Sequence, residues 1–235
     1  MTWIAAVVLG GGMGNRFGAS MPKQLLTLGG RTLVEHCVAA FGRAPSVDEV
    51  LLVMPSGYAA EAAKLVGDQV SAVIAGGLTR SDSVRNALAH LTARHPAETT
   101  GVLLHDAARP LVRQRVIADC VAAVGRHDAA GTAVPTSDTI VVAEDGVMSH
   151  VPPRERLLRC QTPQCFRLSV IARAHELAAA DPDFTPTDDC GVVLRYLPDV
   201  PVHVVPGSER NVKITYPGDL AIAQTLLRAT TDEPG

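Results

Sequence analysis

The stretch VVLGGGMGNRFGASMPKQLL, residues 7–26, places four glycines within five positions directly after an apolar run and follows them with Arg16 and Lys23. This order predicts a buried strand that ends in a tight, glycine-rich loop. A Walker A loop is excluded, because no glycine of the stretch is followed by a lysine and a hydroxyl residue. A dinucleotide fingerprint fits poorly, because counting from Gly12 puts Phe17 at the sixth position, and the second predicted strand does not end in the acidic residue that binds a ribose.

The loop and its cations instead suit a phosphate-bearing ligand. Glycines allow the backbone to approach a phosphate chain or a base closely. Arg16 and Lys23 can neutralise the charge of a triphosphate, and Pro22 stiffens the backbone before Lys23. A tight turn with two solvated cations remains the alternative interpretation of this loop taken alone.

Composition limits the class of protein. The chain has 235 residues, of which 47% are hydrophobic and 19% charged, with a net charge of −3. These values predict one domain, residues 1–230, with a frayed tail at 231–235. The near-neutral charge predicts neither a nucleic-acid partner nor a membrane partner. The five cysteines lack CxxC spacing, which predicts that their thiols are reduced. The longest apolar run is far shorter than the roughly 20 residues that span a bilayer, and together these features predict a cytoplasmic location.

Apolar runs of strand length alternate with segments of helical period along the chain. The predicted strands are 4–9, 50–54, 72–75, 102–104, 131–134 and 202–205. The predicted helices cover 33–41, 83–91, 116–124, 169–180 and 219–227. This alternation predicts an α/β domain with a single Rossmann-like, mostly parallel sheet and helices on both faces.

The segment Asp138–Gln164 interrupts the alternation. The turn signal Glu144-Asp145-Gly146 lies between two short β-prone pieces, which predicts a β-hairpin. A hairpin inserted into a parallel domain projects from it, so residues 138–164 are interpreted as a β-arm. The residues leave open whether this arm is a surface excursion or a dimerisation element.

Two further motifs follow predicted strands. In AGGLTRSDSV, Gly76 and Gly77 can pack against a flat base, and Ser83 can donate a hydrogen bond to base or ribose. In LLHDAARP, Asp106 and Arg109 follow a buried strand at the edge where α/β sheets bind ligands, and they suit a polyol phosphate. An N-capped helix after a glycine turn is the alternative interpretation of the first motif. His105 is assigned no chemistry.

Six motifs in fixed order carry a family resemblance: GGGMGNRFG…MPKQ, AGGLTRSDSV, LLHDAARP, CQTPQCF, PTDDC and NVKIT.P.DL. Over about residues 4–227 the chain resembles the cytidylyltransferases that include methylerythritol 4-phosphate cytidylyltransferase and ribitol-5-phosphate cytidylyltransferase. The resemblance implies a fold of the nucleotide-diphospho-sugar transferase type and a homodimer formed through the 138–164 arm.

The resemblance also implies a set of site residues. The catalytic cations are Arg16, Lys23 and Lys213, with Lys213 near the α-phosphate of CTP. The implied CTP-binding residues are Gly10, Gly11, Gly12, Gly14, Gly76, Gly77, Ser83 and Ala107. The implied acceptor-binding residues are Asp106, Arg109, Thr139, Arg154, Thr162 and Thr187, with Arg154 reaching into the site of the neighbouring subunit. Ordinary strand filling is the alternative interpretation of the threonines.

The implied reaction transfers CMP from CTP to a polyol phosphate, giving a CDP-polyol and pyrophosphate. An ionised acceptor phosphate needs no general base, so the protein must supply position and positive charge. The implied cofactor is Mg²⁺ or another divalent cation, held mainly by the CTP phosphates and without dedicated protein ligands. A nicotinamide oxidoreductase and a non-catalytic nucleotide-binding module are the alternatives from other classes.

The acceptor is harder to assign from the residues. The second alanine of HDAARP resembles the methylerythritol enzymes. Gly10-Gly11 and the segments RCQTPQ, TDDC and KITYP are more similar to the ribitol enzymes. The prediction is 2-C-methyl-D-erythritol 4-phosphate, an acceptor in isoprenoid precursor synthesis, with D-ribitol 5-phosphate as the alternative.

Overall fold

The structure is a computed structural model that describes residues 1–12 and 21–231, with side chains to residue 229. Two predicted site residues, Gly14 and Arg16, lie outside the described residues, as does the tail 232–235. The last helix continues to Thr231, the first residue of the tail that the sequence predicts to be frayed.

Strands and helices alternate along most of the chain. The strands are β1 Trp3–Leu9, β2 Thr27–Leu28, β3 Arg31–Thr32, β4 Glu49–Met54, β5 Ala72–Ala75, β6 Thr100–Asp106, β7 Ala129–Pro135, β8 Val142–Glu144, β9 Val147–His150, β10 Leu158–Arg167 and β11 Val202–Pro206. The helices are α1 Leu33–Gly42, α2 Ala59–Val66, α3 Arg80–Thr92, α4 Gln114–Arg126, α5 Leu168–Ala179, α6 Asp189–Tyr196 and α7 Pro217–Thr231. Every predicted strand and helix is present, and α2, α6, β2, β3 and β10 are additional.

The central sheet has seven strands in the order β11-β7-β10-β6-β1-β4-β5. All neighbouring pairs are parallel except the two that β10 makes with β6 and β7, which are antiparallel. This confirms the predicted mostly parallel sheet. The hairpins β2–β3 and β8–β9 form separate two-stranded sheets.

Both faces of the sheet are covered by helices. Alternate residues of β1 point to opposite faces, so Ile4, Ala6 and Val8 belong to one hydrophobic cluster and Ala5, Val7 and Leu9 to the other. The first cluster includes buried side chains of α1, α2 and α4, and the second includes those of α3, α5 and α6. A strand buried on both faces must be apolar throughout, which explains the continuous apolar run before the glycine loop.

The chain changes direction across the sheet at β1. Strands β4 and β5 extend the sheet on one side of β1, and β6 then pairs with its other side. Ligands of open α/β sheets bind at such a switch point, outside the carboxyl ends of the strands. The glycine loop that follows Leu9 and the segment that follows Asp106 therefore meet at this edge, because these two residues are register partners.

The arm is shorter than the sequence predicts. Its hairpin β8–β9 is present, and Asp145 (φ +49°) and Gly146 (φ +80°) form the tight turn with the positive φ angles that such a hairpin needs. However, residues 158–164, assigned to the arm from sequence, lie in β10 between β6 and β7 in the central sheet. Strand β10 carries polar side chains that are buried, so it lacks the continuous apolar pattern by which a central strand is recognised in a sequence. These side chains are Gln161, Thr162 and Gln164.

Candidate active site

A cleft of about 380 Å³ opens at the carboxyl ends of β1 and β6. Most of the predicted nucleotide-binding and catalytic residues line it, namely Gly10, Gly11, Gly12, Lys23, Ser83, Ala107 and Lys213. Asp106 and Arg80 also line it. The fold thus brings together segments that are about 200 residues apart in the sequence.

A second cleft of about 240 Å³ adjoins the first. The predicted acceptor-binding residues Asp106, Arg109, Thr162 and Thr187 line it. Its wall shares Arg80, Asp106 and Lys213 with the first cleft. We name the two spaces the nucleotide cleft and the acceptor cleft.

The glycine loops after β1 and β5 touch backbone to backbone. A Cβ atom on Gly76 would lie 3.0 Å from the Cα atom of Gly11, and a Cβ atom on Gly77 would lie 2.1 Å from the Cβ atom of Asp82. A side chain at Gly76 would push the two loops apart, and a side chain at Gly77 would clash with the first turn of α3. Gly76 and Gly77 do not line the nucleotide cleft; they position Ser83, whose hydroxyl accepts from the Gly77 backbone N–H at 3.2 Å.

The first turn of α3 is fixed by a capping box. The Thr79 hydroxyl accepts from the Asp82 backbone N–H at 3.1 Å, and the Asp82 carboxylate accepts from the Thr79 backbone N–H at 2.8 Å. This cap fixes the direction of the first turn, which carries Arg80 and Ser83 at the wall of the nucleotide cleft.

Lys23 is held beside the glycine loop by its neighbour. The Gln24 amide donates to the carbonyl oxygens of Gly10 and Gly12, the second at 2.9 Å, and thereby ties the turn Lys23–Leu25 to the loop. The Lys23 ammonium donates to the carbonyl oxygen of Ile214 at 2.9 Å. Because Ile214 directly follows Lys213, this contact brings the segment that carries Lys213 next to Lys23, and both lysines line the cleft.

Asp106 is the carboxylate that both clefts share. Its Oδ2 atom lies 2.7 Å from Lys213 Nζ, and its Oδ1 atom lies 3.3 Å from Arg80 Nε. Burial by itself would raise the pKa of Asp106, but the charges of Arg80 and Lys213 outweigh it and hold the pKa well below the ordinary range. Asp106 is therefore an ionised hydrogen-bond acceptor rather than a proton donor at neutral pH.

Sequence reasoning missed Arg80. Its Nη2 atom lies 2.7 Å from Oδ2 of Asp189, a carboxylate with no solvent exposure that is also hydrogen-bonded to His175 at 3.0 Å. The signal was present, since Arg80 lies within AGGLTRSDSV, but only the glycines and Ser83 of that motif were interpreted. The acidic partner Asp189 is 109 positions away, and only the fold reveals it.

Arg109 and Thr162 are anchored around the acceptor cleft. The Arg109 guanidinium donates to the carbonyl oxygens of Asn211 at 2.7 Å and Cys160 at 3.3 Å. The Thr162 hydroxyl accepts from the Asp106 backbone N–H at 3.1 Å. These contacts fix the acceptor-cleft wall at the end of β6.

His105 lies behind this wall and does not line either cleft. Its Nε2 donates to the Arg109 carbonyl oxygen at 3.0 Å, which leaves Nδ1 of the neutral ring to accept from the Thr162 hydroxyl at 3.1 Å. Burial lowers the pKa of His105 to about 4. The ring is therefore neutral at physiological pH and has a packing role.

Thr139 and Arg154 do not join the clefts of their own chain. Arg154 Nη2 donates to the Thr139 hydroxyl at 2.9 Å, and this exposed pair lies on the arm. Neither residue lines the nucleotide cleft or the acceptor cleft. Thr187, by contrast, lies on the acceptor cleft directly before Asp188, the residue that caps α6.

The arrangement can hold two anionic ligands against one shared wall. Within residues 1–12 and 21–231, no group of three or more His, Cys, Asp or Glu side chains is placed to hold a metal ion. A cationic wall attracts phosphates, and a metal that enters on those phosphates needs few protein ligands of its own. Among the described helices, none is long and apolar enough to cross a bilayer.

The chain is similar to known cytidylyltransferases over nearly its whole length. Residues 4–229 match the family described as 2-C-methyl-D-erythritol 4-phosphate cytidylyltransferase. The enzyme of that name from Thermobifida fusca is 51% identical, over 96% of this chain and 93% of that protein. A bifunctional ribulose 5-phosphate reductase/CDP-ribitol pyrophosphorylase from Haemophilus influenzae is 34% identical, over 95% of this chain and 48% of that protein. The crystal structure of a 4-diphosphocytidyl-2C-methyl-D-erythritol synthase from Anaerococcus prevotii superposes with a TM-score of 0.84 at 25% identity, over 97% of this chain and 96% of that one.

Proposed function

The chain belongs to the 2-C-methyl-D-erythritol 4-phosphate cytidylyltransferase family, and we propose that the nucleotide cleft and the acceptor cleft are where it carries out this family's reaction. It is a CTP-dependent enzyme that transfers CMP to 2-C-methyl-D-erythritol 4-phosphate and releases pyrophosphate. The observation that carries the site proposal is the wall of Arg80, Asp106 and Lys213 that both clefts share. Two bound substrates would meet at this wall with their phosphates adjacent.

The ribitol alternative is not favoured. The Thermobifida fusca relative, named for the methylerythritol reaction, is 51% identical, whereas the Haemophilus influenzae relative named for CDP-ribitol is 34% identical. Membership of the cytidylyltransferase family also argues against the two other interpretations of the glycine loop, a nicotinamide oxidoreductase and a non-catalytic nucleotide-binding module.

The chemistry of the nucleotide cleft supports its assignment to CTP. The exposed backbone of Gly10–Gly12 suits close approach of the base or phosphates, and the Ser83 hydroxyl is available at the cleft wall. Lys23 and Lys213 both line the cleft where the triphosphate would lie. The proposed CTP-binding and catalytic residues also include Gly14 and Arg16, which lie outside the described residues. Ala107 follows β6 and leaves room beside the wall.

The residues of the acceptor cleft support its assignment to the acceptor. Asp106 accepts hydrogen bonds from polyol hydroxyls, since its carboxylate remains ionised, and Arg109 supplies positive charge for the phosphate. Thr162 and Thr187 add polar groups to this cleft.

The reaction follows from the position of the charges. A phosphate oxygen of the acceptor attacks the α-phosphorus of CTP in line, a new P–O bond forms, and the bond to the β-phosphate oxygen breaks to release pyrophosphate. The attacking oxygen is already ionised, so the chain provides no general base. Lys23 and Lys213 stabilise the charge that develops on the phosphates, and the clefts hold the reactants in register.

Mg²⁺ or another divalent cation is the proposed cofactor. It would supply charge neutralisation on the triphosphate, and among the described residues that line the nucleotide cleft Asp106 is the carboxylate that could contribute a ligand. The free thiols of the described cysteines are consistent with the cytoplasmic location that we also propose.

We further propose that the arm completes the acceptor site of a second subunit. Large apolar side chains are exposed along it, among them Val147 (70%), Met148 (72%) and Val151 (58%). Arg154 lies near these residues and outside the clefts of its own chain. A homodimer formed through the arms would bury this apolar surface and could bring Arg154 to the partner's acceptor phosphate.

Two measurements test the activity and its acceptor. Purified protein is incubated with CTP, Mg²⁺ and either 2-C-methyl-D-erythritol 4-phosphate or D-ribitol 5-phosphate, and pyrophosphate release is followed. Turnover with the methylerythritol substrate and at most weak turnover with ribitol 5-phosphate is expected. Preferred turnover of ribitol 5-phosphate would contradict the acceptor assignment.

The shared site is tested with variants of Arg154. Arg154→Ala should raise the KM for the acceptor much more than the KM for CTP, and Arg156→Ala, an exposed arginine of the same turn, serves as the control. Mixing Arg154→Ala chains with Lys23→Ala chains should restore activity, because a mixed dimer places both defects in one site. A fully active monomer in sedimentation would overturn the shared-site proposal.

A further inference from the structure

Two cations share the Asp106 carboxylate, and each contacts a different oxygen. Lys213 Nζ lies 2.7 Å from Oδ2, and Arg80 Nε lies 3.3 Å from Oδ1. Both cations also line both clefts. This arrangement raises the question of why one carboxylate needs two partners.

The two cations differ in how firmly they are held. Lys213 carries its ammonium on a flexible stem whose side chain is 39% exposed. Arg80 is pinned by its second contact, 2.7 Å to Asp189, and Asp189 is fully buried. Asp189 is in turn fixed by His175 at 3.0 Å and by its own backbone N–H, which donates to Gln164 at 3.0 Å. The Arg80 side chain is itself 31% exposed, but it pairs with two carboxylates whereas Lys213 pairs with one, so Lys213 leaves Asp106 more readily than Arg80 does.

The proposed reaction requires such a movement. Lys213 must stabilise a phosphate in the transition state, yet in this structure its ammonium is paired with Asp106. When Lys213 turns to the phosphate, the Oδ2 atom of Asp106 becomes available to an acceptor hydroxyl. The carboxylate then needs another cation to remain in place at the cleft wall.

We propose that Arg80 is a positioning residue that holds the Asp106 carboxylate toward the acceptor while Lys213 leaves Asp106 for the phosphate being transferred. This inference rests on the proposed function of the two clefts. It assigns Asp189 the role of anchoring Arg80, although Asp189 lines neither cleft.

The other groups around Asp106 do not substitute for Arg80. Arg109 also attracts the carboxylate, but its guanidinium donates to two backbone carbonyls instead. Burial lowers the pKa of His105 to about 4, and burial raises the pKa of the Cys37 thiol, so both are neutral near pH 7. Arg80 is thus the cation that stays in contact when Lys213 moves.

The first test compares Arg80→Gln and Arg80→Lys with the wild-type enzyme. Arg80→Gln should lower kcat and raise the KM for the acceptor, reducing kcat/KM on the order of 10- to 100-fold, while the KM for CTP changes less than about twofold. Arg80→Lys should retain more of kcat/KM than Arg80→Gln, because it keeps a charge near Asp106. Arg173→Gln is the matched control, since Arg173 is 56% exposed and pairs with Glu176 on the surface of α5.

A double variant separates positioning from simple stability. Arg80→Gln alone leaves Asp189 buried without its cation, which lowers the melting temperature. Arg80→Gln/Asp189→Asn removes both charges, so the melting temperature should recover toward that of the wild type while the acceptor KM stays raised. Recovery of wild-type kcat/KM in the double variant would overturn the proposal.

If Arg80→Gln raised the KM for CTP as much as the KM for the acceptor, the positioning role of Arg80 would also be overturned. Equal increases would indicate a general distortion of both clefts. The wild-type enzyme is assayed first with CTP and 2-C-methyl-D-erythritol 4-phosphate. Absence of wild-type turnover counts against the proposed function, whereas wild-type turnover with an unimpaired Arg80→Gln variant counts against this inference alone.

Discussion

Replacing Lys213 with alanine should separate catalysis from stability. The Lys213 ammonium lies 2.7 Å from Asp106, and the two side chains are 39% and 12% exposed. Screening by solvent limits such a pair to about 1 kcal/mol or less of folding stability. The folded state should therefore survive the substitution with a small change in melting temperature.

The effect on the rate should be larger. A donor that stabilises developing charge contributes about 2.7 to 4 kcal/mol in the transition state. Lys213 must first leave Asp106, and the alanine variant no longer incurs that cost, which offsets up to about 1 kcal/mol. The net loss is about 2 to 3 kcal/mol, or roughly 30- to 150-fold in kcat/KM.

The assay is the initial rate of pyrophosphate release with CTP varied at saturating acceptor, with the melting temperature measured in parallel. Lys64→Ala is the matched control, because Lys64 is exposed on α2 and lines neither cleft. A loss below about threefold in a folded Lys213→Ala enzyme would refute the reasoning, since a factor that small is worth about 0.7 kcal/mol. Lys213 would then be only a structural partner of Asp106.

Three further outcomes are expected. Excess EDTA should abolish turnover, added Mg²⁺ should restore it, and the melting temperature of the nucleotide-free protein should not change; full activity in EDTA would contradict the metal assignment. Burial lowers the pKa of His105 from 6.5 to about 4, so its stabilising contribution is complete above pH 6.5 and is lost as the pH falls toward 4, by about 3 kcal/mol. Urea unfolding should therefore show that the difference in free energy of unfolding between the wild type and His105→Asn narrows as the pH falls from 7 to 4.5. A difference that stays constant would contradict the lowered pKa of His105. Gly77→Ala places a Cβ atom 2.1 Å from that of Asp82 and should cost about 1–3 kcal/mol of stability and raise the KM for CTP; Gly57→Ala, where a Cβ meets nothing within 4 Å, is the control, and equal behaviour of the two variants would contradict the proposed loop packing.

Local patterns in the sequence were enough for the main features of the fold. The apolar run 4–9 followed by glycines predicted β1 and its loop, and the helical periods predicted α1, α3, α4, α5 and α7. These signals are local, because burial on both faces of a strand or on one face of a helix fixes residue types at short spacing. The six ordered motifs added the family and hence the reaction. The sequence also named Lys23, Asp106 and Lys213, which the fold brings to one cleft.

Tertiary structure alone decided how these residues act together. Arg80 meets Asp106 across 26 positions and Asp189 across 109, and Lys213 meets Asp106 across 107. No periodicity records such pairs, because each ion pair forms only after the sheet has placed distant segments side by side. The same holds for β10, whose polar residues Gln161 and Gln164 are buried through hydrogen bonds rather than apolar contacts. The sequence by itself therefore determined which chemical groups the protein carries, and long-range packing decided which of them touch.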